Sequence, residues 1–231
     1  MEEKFIEENL VNEKIEVFNL EIFQDPRFFK FGVDAVCLAR FASKFKKIKK
    51  PKYIDLCSGT GIVGLVYSRL NDLNYVEFLE KTEFATKINI KNALHNNVNH
   101  KIYTMDLEDA SSNISNYSYD YITVNPPYMK NNSGLNTNSF LKDVAKIEQN
   151  ENFLERIFEQ SRLLLKDKGE LYMVHKVERL ADIFSSCRKQ KMEAKTIQFI
   201  RNKGSKKSSL VLLRFVKNSN SYLEVMEDME I

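Results

Sequence analysis

The chain has 231 residues, of which 43% are hydrophobic and 29% are charged. That length predicts one large domain, or one domain with a small appendage, and the composition supplies a proper apolar core and an ordinary soluble surface. The net charge of +3 and an isoelectric point near 8.6 permit nucleic-acid binding but do not demand it.

Cysteine spacing and the first residues restrict the chemistry further. Cys37, Cys57 and Cys187 lie far apart in apolar runs, so neither a disulfide framework nor a cysteine-bound metal is expected. The start at Met1 is acidic and no apolar run is long enough to span a bilayer, which predicts neither a signal peptide nor a membrane anchor. We therefore expect a metal-free cytoplasmic protein with reduced cysteines.

The N-terminal region is predicted to form an extension, residues 1–45, packed on a core of residues 46–231. Residues 15–31 alternate roughly between apolar and polar side chains, which predicts a hairpin or an extended segment. Gly32 then opens a helix with apolar residues at i, i+3, i+4 and i+7. Residues 44–52 are rich in lysine and predict a solvated connection into the core, with a phosphate contact as the alternative.

The core alternates between short apolar runs and helical patterns. The runs predict seven strands, at residues 53–57, 75–79, 101–104, 120–124, 170–175, 196–200 and 210–216. The helical patterns end near Leu70, His95 and Cys187, and the pattern that includes Leu165 is expected to stop at Lys168-Gly169. This alternation predicts an α/β fold with a mainly parallel seven-stranded sheet, helices on both faces and a C-terminal antiparallel hairpin.

The fourth predicted strand stops at Asn125-Pro126-Pro127-Tyr128. Two prolines donate no backbone hydrogen bond and fix φ, so the chain leaves the sheet as a rigid extended segment. A side-chain amide, a backbone carbonyl and an aromatic ring at one strand end form a holder for a planar amine, either an amino group on a ring or a primary amide. In isolation, the same residues also fit an ordinary strand-to-loop boundary. The Asn- and Ser-rich residues 129–147 are expected to form a mobile loop at this site.

A glycine-rich loop follows the first predicted core strand. Gly59, Gly61 and Gly64 satisfy the pattern G-x-G-x-x-G between a strand and a helix, where a tight turn lets a cofactor lie against the backbone. Glu80, about twenty residues further on, is placed to accept hydrogen bonds from ribose hydroxyls. These features fit any cofactor that contains adenosine.

Two aspartates separate the possible cofactors. Asp55 is expected in the first strand-end loop, where a carboxylate would repel a dinucleotide pyrophosphate and favour a cationic cofactor such as S-adenosylmethionine. Asp106 offers an acceptor to an adenine amino group, although it also fits a turn or a helix cap. Ligands of open α/β sheets bind at the carboxyl ends of the strands, so the features at these ends together favour a methyltransferase.

The sequence Asp-Leu-Cys-Ser-Gly-Thr-Gly at 55–61, together with Asn-Pro-Pro-Tyr, resembles the class I S-adenosylmethionine-dependent amino-group methyltransferases. More narrowly, the chain resembles the bacterial tRNA(Val) adenosine-37 N6-methyltransferases. The stretches that carry this narrower resemblance are 31–34, 38–39, 145–148, 174–180 and 197–200. Lys176-Val177 departs from it, because that family usually has Arg-Pro there.

The resemblance implies a Rossmann-like fold, S-adenosylmethionine as cofactor and tRNA as partner. The modest size and the absence of an exposed apolar repeat favour a monomer. The implied cofactor contacts are Asp34, Asp55, Cys57, Ser58, Gly59, Gly61, Glu80, Lys81, Asp106, Leu107 and Asn125. The implied catalytic residues are Asn125, Pro126, Pro127 and Tyr128. Substrate contacts are expected from Tyr128, Lys130, Arg201, Lys203 and Lys206.

The expected reaction is N6-methylation of a flipped-out adenosine. The Asn125 side-chain oxygen and the Pro126 carbonyl would accept the N6 hydrogens, and Tyr128 would stack on the base. No general base is needed, so His95, His100 and His175 are expected to be surface or structural residues. The open alternatives are methylation of a protein glutamine or of ribosomal RNA or DNA adenine, a non-catalytic RNA-binding module of the same fold, and a dinucleotide-dependent oxidoreductase.

Overall fold

The computed structural model describes residues 9–26, 31–127 and 152–231. The predicted catalytic residue Tyr128, the predicted substrate contact Lys130 and the predicted loop at 129–147 lie outside the described residues. In the described residues, no helix has the length and apolar composition needed to cross a membrane.

The N-terminal region contains the predicted hairpin. Strands β1 (Val11–Ile15) and β2 (Leu20–Gln24) pair in antiparallel fashion and form a two-stranded sheet of their own. The prediction of a hairpin is confirmed, although its first strand begins four residues earlier than expected. Helix α1 (Val33–Ser43) follows and packs beneath the main sheet. The division at residue 45 stays a prediction.

The described residues contain a nine-stranded main sheet. Its strands are β3 (Tyr53–Leu56), β4 (Tyr75–Glu80), β5 (Asn99–Thr104), β6 (Tyr119–Val124), β7 (Leu165–Lys176), β8 (Met192–Arg201), β9 (Leu210–Lys217), β10 (Glu224–Val225) and β11 (Met229–Glu230). They lie in the order β10-β8-β9-β7-β6-β3-β4-β5, with β11 also on β8. Strands β3 to β7 are mutually parallel, whereas β9 runs antiparallel to β7 and β8. The predicted fold class is thereby confirmed.

Two details of the C-terminal half differ from prediction. Lys168-Gly169 was expected to end a helix, but α5 (Phe153–Leu164) ends earlier and β7 begins at Leu165. The strand is irregular there, with a register shift against β6 and a positive φ of 58° at Lys168. The additional strands β10 and β11 are two residues each, which is too short for an alternating pattern to reveal.

Helices cover both faces of the sheet. On one face, α1, α2 (Ile62–Asn71) and α3 (Glu83–His95) bury their apolar sides against the strands. On the other face, α4 (Ala110–Asn113), α5 and α6 (Leu180–Lys189) do the same. Burial of two apolar layers on a central sheet is the standard solution for an α/β chain.

The basic linker at residues 44–52 lies at the amino edge of the sheet, because it leads directly into the start of β3. Lys46 donates to the Asn71 carbonyl at 2.6 Å, and Lys52 donates to Ser118 at 3.1 Å. The linker is therefore held as a structural connection by Lys46 and Lys52, and the alternative of a phosphate contact stays a prediction.

Candidate functional site

A cavity of about 460 Å³ opens at the carboxyl ends of strands β3 to β6. Strands β4 and β5 lie on one side of β3 and strand β6 lies on the other, so the order in which strands are added changes direction there. Ligands of open α/β sheets bind at such a switch point. The volume is within the range of small-molecule sites in proteins. Residues of the glycine loop, the ends of β4, β5 and β6, the N-terminal region and helix α5 line the cavity.

The glycine loop forms the floor beside β3. Gly59 and Gly61 have φ angles of 52° and 87°, which side chains rarely adopt. Gly61 is also crowded, because a Cβ placed there would lie 2.5 Å from Oδ1 of Asn89. Its amide donates to the Ser58 carbonyl at 2.8 Å and closes the turn. The predicted cofactor contacts Cys57, Ser58 and Gly59 line the cavity, whereas Gly61 is not one of its lining residues.

Glu80 at the end of β4 holds this loop in place. Its Oε2 accepts a hydrogen bond from the Gly59 amide at 2.9 Å. Its Oε1 accepts from the amide and the hydroxyl of Thr82, at 3.0 and 2.9 Å. The carboxylate therefore joins the two strand ends on either side of the cavity that it lines.

Asp55 differs from its expected place. It lies within β3, fully buried below the loop, and does not line the cavity. Its Oδ1 accepts from the Thr123 hydroxyl at 2.6 Å and its Oδ2 accepts from the Gly64 amide at 3.2 Å. Burial raises the pKa of the Asp55 carboxyl to about 7. The expectation that this carboxylate faces a cationic cofactor is therefore wrong, and Asp55 instead joins Thr123 of β6 to the first turn of α2, which follows the loop.

The charge of the cavity comes from other residues. Among the described residues, four carboxylates and two cations line it, namely Asp25, Glu80, Asp106, Glu108, Lys81 and Arg156. Lys81 lies 2.6 Å from Asp106, and Arg156 pairs with Glu108. Asp106 also accepts from the Glu108 amide at 3.2 Å, so it caps a short helical turn as well as lining the cavity. The lining residues that the structure describes therefore include more carboxylates than cations.

The predicted holder lies on the β6 side of the same cavity. Asn125, Pro126 and Pro127 all line it, as do the predicted contacts Lys81 and Leu107. Oδ1 of Asn125 is buried and has no hydrogen-bond partner within the described residues. An unpaired buried acceptor destabilises a protein by about 1–3 kcal/mol, a penalty that a bound donor would remove.

Other predicted site residues lie elsewhere. Asp34 is buried in the first turn of α1 and is not in the cavity lining. Arg201 ends β8 and is paired with the C-terminal segment, with nitrogens 2.6 Å from Glu230 and 3.5 Å from Asp228. Lys203 and Lys206 are exposed in the β8–β9 loop, at the carboxyl edge but three strands from β6.

The histidines lie outside the cavity lining among the described residues. His95 lies 2.8 Å from Glu21 in the hairpin. His175 is buried in β7, and its Nδ1 accepts from the Lys176 amide at 2.8 Å. His100 contacts the Val98 carbonyl at 3.0 Å.

Sequence reasoning missed several residues of the site. Asp25 and Phe31, from the N-terminal region, and Phe153 and Arg156, from α5, line the cavity. Asn89 supports the loop from α3, donating to Ser58 at 3.1 Å. A polar residue on a helix is usually solvent-exposed, so the only available signal was the dense asparagine spacing on α3.

Comparison with known proteins gives consistent matches. Residues 28–197 match the family model for the methyltransferase small domain. The tRNA1(Val) (adenine(37)-N6)-methyltransferase of Flavobacterium johnsoniae is 28% identical over 207 residues, covering 88% of this chain and 85% of that protein.

Solved structures share the fold at low sequence identity. A predicted O-methyltransferase from Agrobacterium tumefaciens has a TM-score of 0.65 at 16% identity, covering 85% of this chain and 86% of that one. TYW2 from M. jannaschii, solved in complex with AdoMet, has a TM-score of 0.59 at 13% identity, covering 90% and 87%. At such identities the likeness establishes the fold alone.

Proposed function

The chain belongs to the methyltransferase small domain family, and we propose that it transfers a methyl group from S-adenosylmethionine to N6 of an adenosine in tRNA, with position 37 of tRNA(Val) as the target. The name of the Flavobacterium relative and the Asn-Pro-Pro-Tyr motif support the finer part of this proposal.

The cavity fits S-adenosylmethionine, which supplies an electrophilic methyl group on a positively charged sulfur. Within the described residues, the ion pairs Lys81–Asp106 and Arg156–Glu108 each balance internally. The Glu80 carboxylate also lines the cavity, and its hydrogen bonds come from the neutral donors of Gly59 and Thr82. Its negative charge favours a cation and disfavours a dinucleotide pyrophosphate. The loop from Cys57 to Gly61 would hold the cofactor on one side, and Asp106 with Leu107 would hold it on the other.

The observation that carries the proposed chemistry is the buried Oδ1 of Asn125 at the cavity wall, which has no hydrogen-bond partner in the part of the chain that the structure describes. An exocyclic amine is a poor nucleophile because its lone pair is delocalised into the ring. By accepting an amine hydrogen, Asn125 and the Pro126 carbonyl would favour a tetrahedral nitrogen and stabilise the positive charge that develops on it. The prolines hold both acceptors rigidly, so alignment of the amine is the main contribution of this segment.

RNA would be bound at the carboxyl edge of the sheet. The exposed Lys203 and Lys206 project from the β8–β9 loop at this edge, and such lysines bind phosphates without sequence preference. Arg201 is engaged with Glu230 and Asp228. Its proposed contact with RNA would therefore compete with the C-terminal segment.

The proposal is tested by incubating the protein with methyl-labelled S-adenosylmethionine and total tRNA that lacks base modifications, with duplex DNA and a protein lysate in parallel. Label in N6-methyladenosine from tRNA alone is the expected result. Label in protein would indicate that the substrate is a glutamine side chain and not tRNA. Absence of label in every arm would refute methyl transfer.

The position is tested with two tRNA(Val) transcripts that differ only at residue 37. The transcript with adenosine 37 should accept about one methyl group, and the transcript with guanosine 37 none. Equal labelling of both transcripts would exclude position 37 as the target.

A further inference from the structure

Strand β1 occupies one edge of β2, and the backbone groups on the other edge of β2 hydrogen-bond to side chains. On β2, the amide and carbonyl of Phe23 contact Asn92 at 2.7 and 3.1 Å, and the amide and carbonyl of Glu21 contact Asn96 at 3.0 and 2.8 Å. A primary amide has the same donor and acceptor as a peptide group. Two asparagines of α3 thus take the place of a neighbouring strand.

The spacing explains why this arrangement fits. Residues four apart on a helix rise about 6 Å, and residues two apart on a strand advance about 7 Å. Asn92 and Asn96 therefore match Phe23 and Glu21 in register. Both asparagines are buried, at 0% and 5% exposure. Their hydrogen bonds therefore form away from water, where they are electrostatically stronger than at the surface.

The two asparagines differ in their remaining contact. Nδ2 of Asn92 also donates to the Thr60 carbonyl in the glycine loop at 2.9 Å. Nδ2 of Asn96 donates instead to the Asn92 carbonyl of its own helix at 2.8 Å. Asn92 therefore connects the hairpin to the glycine loop, whereas Asn96 connects the hairpin to α3 alone.

The hairpin in turn contributes to the cavity wall. Asp25 directly follows β2 and lines the cavity, as does Phe31. Gln24 joins Phe31 to the hairpin, because its Oε1 accepts from the Phe31 amide at 3.0 Å and its Nε2 donates to Glu13 at 2.8 Å. The cavity thus has one wall from the hairpin and a floor from the glycine loop, and Asn92 contacts both.

We propose that Asn92 is a positioning residue for cofactor binding, because it fixes the glycine loop relative to the hairpin. Packing of the hairpin against α3 then raises the affinity of the cavity for the cofactor, and the bound cofactor stabilises that packing. This inference rests on the proposed function, because it takes S-adenosylmethionine as the occupant of the cavity. Coupling of this kind is reciprocal: whatever stabilises the docked hairpin raises cofactor affinity, and the bound cofactor stabilises the docked hairpin.

The test compares Asn92→Ala with Asn96→Ala in the full chain. Both variants remove a two-bond clamp on β2, so both should lower the melting temperature. Calorimetry with S-adenosylhomocysteine then measures affinity without turnover. Asn92→Ala should weaken binding by about tenfold or more, since a buried hydrogen bond to the loop is lost, whereas Asn96→Ala should stay within about threefold of the unmodified chain.

Equal affinity of the two variants, whether weakened or not, would overturn the inference while leaving the proposed function intact. Failure of the unmodified chain to bind S-adenosylhomocysteine would overturn both. If Asn92→Ala does not fold, hydrogen exchange on the unmodified chain decides: the bound cofactor should slow exchange of the Phe23 amide more than that of the Glu21 amide. Equal slowing, or none, would refute the coupling through Asn92.

Discussion

The Gly59 amide donates a 2.9 Å hydrogen bond to Oε2 of Glu80, so the end of β4 fixes the conformation of the loop that follows β3. The other oxygen of Glu80 holds Thr82 at the start of α3. One carboxylate thereby sets the distance between the two strand ends that enclose the cavity. Its role in shaping the loop is additional to any contact with a ribose.

Glu80→Gln should weaken cofactor binding. The substitution keeps the size of the side chain but replaces one acceptor by an NH₂ group, which meets an N–H donor from Gly59 or Thr82. Loss of a charge-assisted hydrogen bond predicts a rise in Kd of about ten- to a hundredfold. Calorimetry with S-adenosylhomocysteine measures it, and Glu83→Gln, on the exposed first turn of α3, is the matched control. Equal Kd values for the two variants would contradict the prediction.

Gly61→Ala should abolish cofactor binding while leaving most of the fold intact. Two penalties act together, the positive φ of 87° and the 2.5 Å approach of the new Cβ to the buried Asn89. Gly204→Ala measures the penalty of a positive φ alone, because Gly204 has a φ of 79° and open space around it. The control should lose only a little stability, about 1 kcal/mol. Retention of cofactor binding by Gly61→Ala would show that the loop adapts.

Asp55→Asn should change the pH dependence of stability. Burial raises the pKa of Asp55 from 3.8 to about 7, so between these values the folded chain keeps a proton that the unfolded chain has released. The free energy of unfolding contributed by this group therefore falls as pH rises through the window and is lost above about pH 7. Asparagine has no proton to release. The melting temperature of the unmodified chain relative to Asp55→Asn should therefore decrease from about pH 5 to about pH 8, and parallel curves would contradict this.

Asp55 also shows where prediction from sequence succeeded and where it failed. Its position beside a glycine loop followed from the apolar run and the glycines, since both are local signals. The direction of its side chain depends on which face of β3 it occupies, and pairing of Asp55 with Thr123 of β6 directs it under the loop. A contact across 68 residues of sequence has no local signature.

The same reasoning explains the missed asparagines. Asn89 and Asn92 lie on α3, where polar residues normally mark a solvated face, yet both are fully buried. Their partners are Ser58, Thr60 and Phe23, and only the folded chain brings these together. The strands and the two motifs were predictable because periodicity and backbone restrictions depend on consecutive residues. The hydrogen bonds that join the motifs depend on the tertiary fold and have no such local signal.

Asn125→Ala should abolish turnover and leave cofactor binding within about threefold of the unmodified chain. The variant removes the acceptor that would stabilise charge on the amine, which is typically worth about a hundred- to a thousandfold in kcat. Single-turnover methyl transfer to tRNA measures the rate, and calorimetry with S-adenosylhomocysteine measures binding. Asn125→Asp, which keeps an acceptor, should retain more activity than Asn125→Ala. Near-normal turnover by Asn125→Ala would refute the proposed role.

Lys203→Ala combined with Lys206→Ala should weaken tRNA binding and leave cofactor binding unchanged. Each phosphate contact releases about one counterion, so the slope of log affinity against log salt should fall in magnitude by up to about 2. Lys49→Ala combined with Lys50→Ala is the matched control. It removes the same charge from exposed positions at the amino edge, opposite the cavity. Filter binding over a salt series distinguishes a local contact from general electrostatic attraction. A local contact would lower the tRNA affinity of the β8–β9 loop variant alone. General attraction would lower the affinity of both double variants equally.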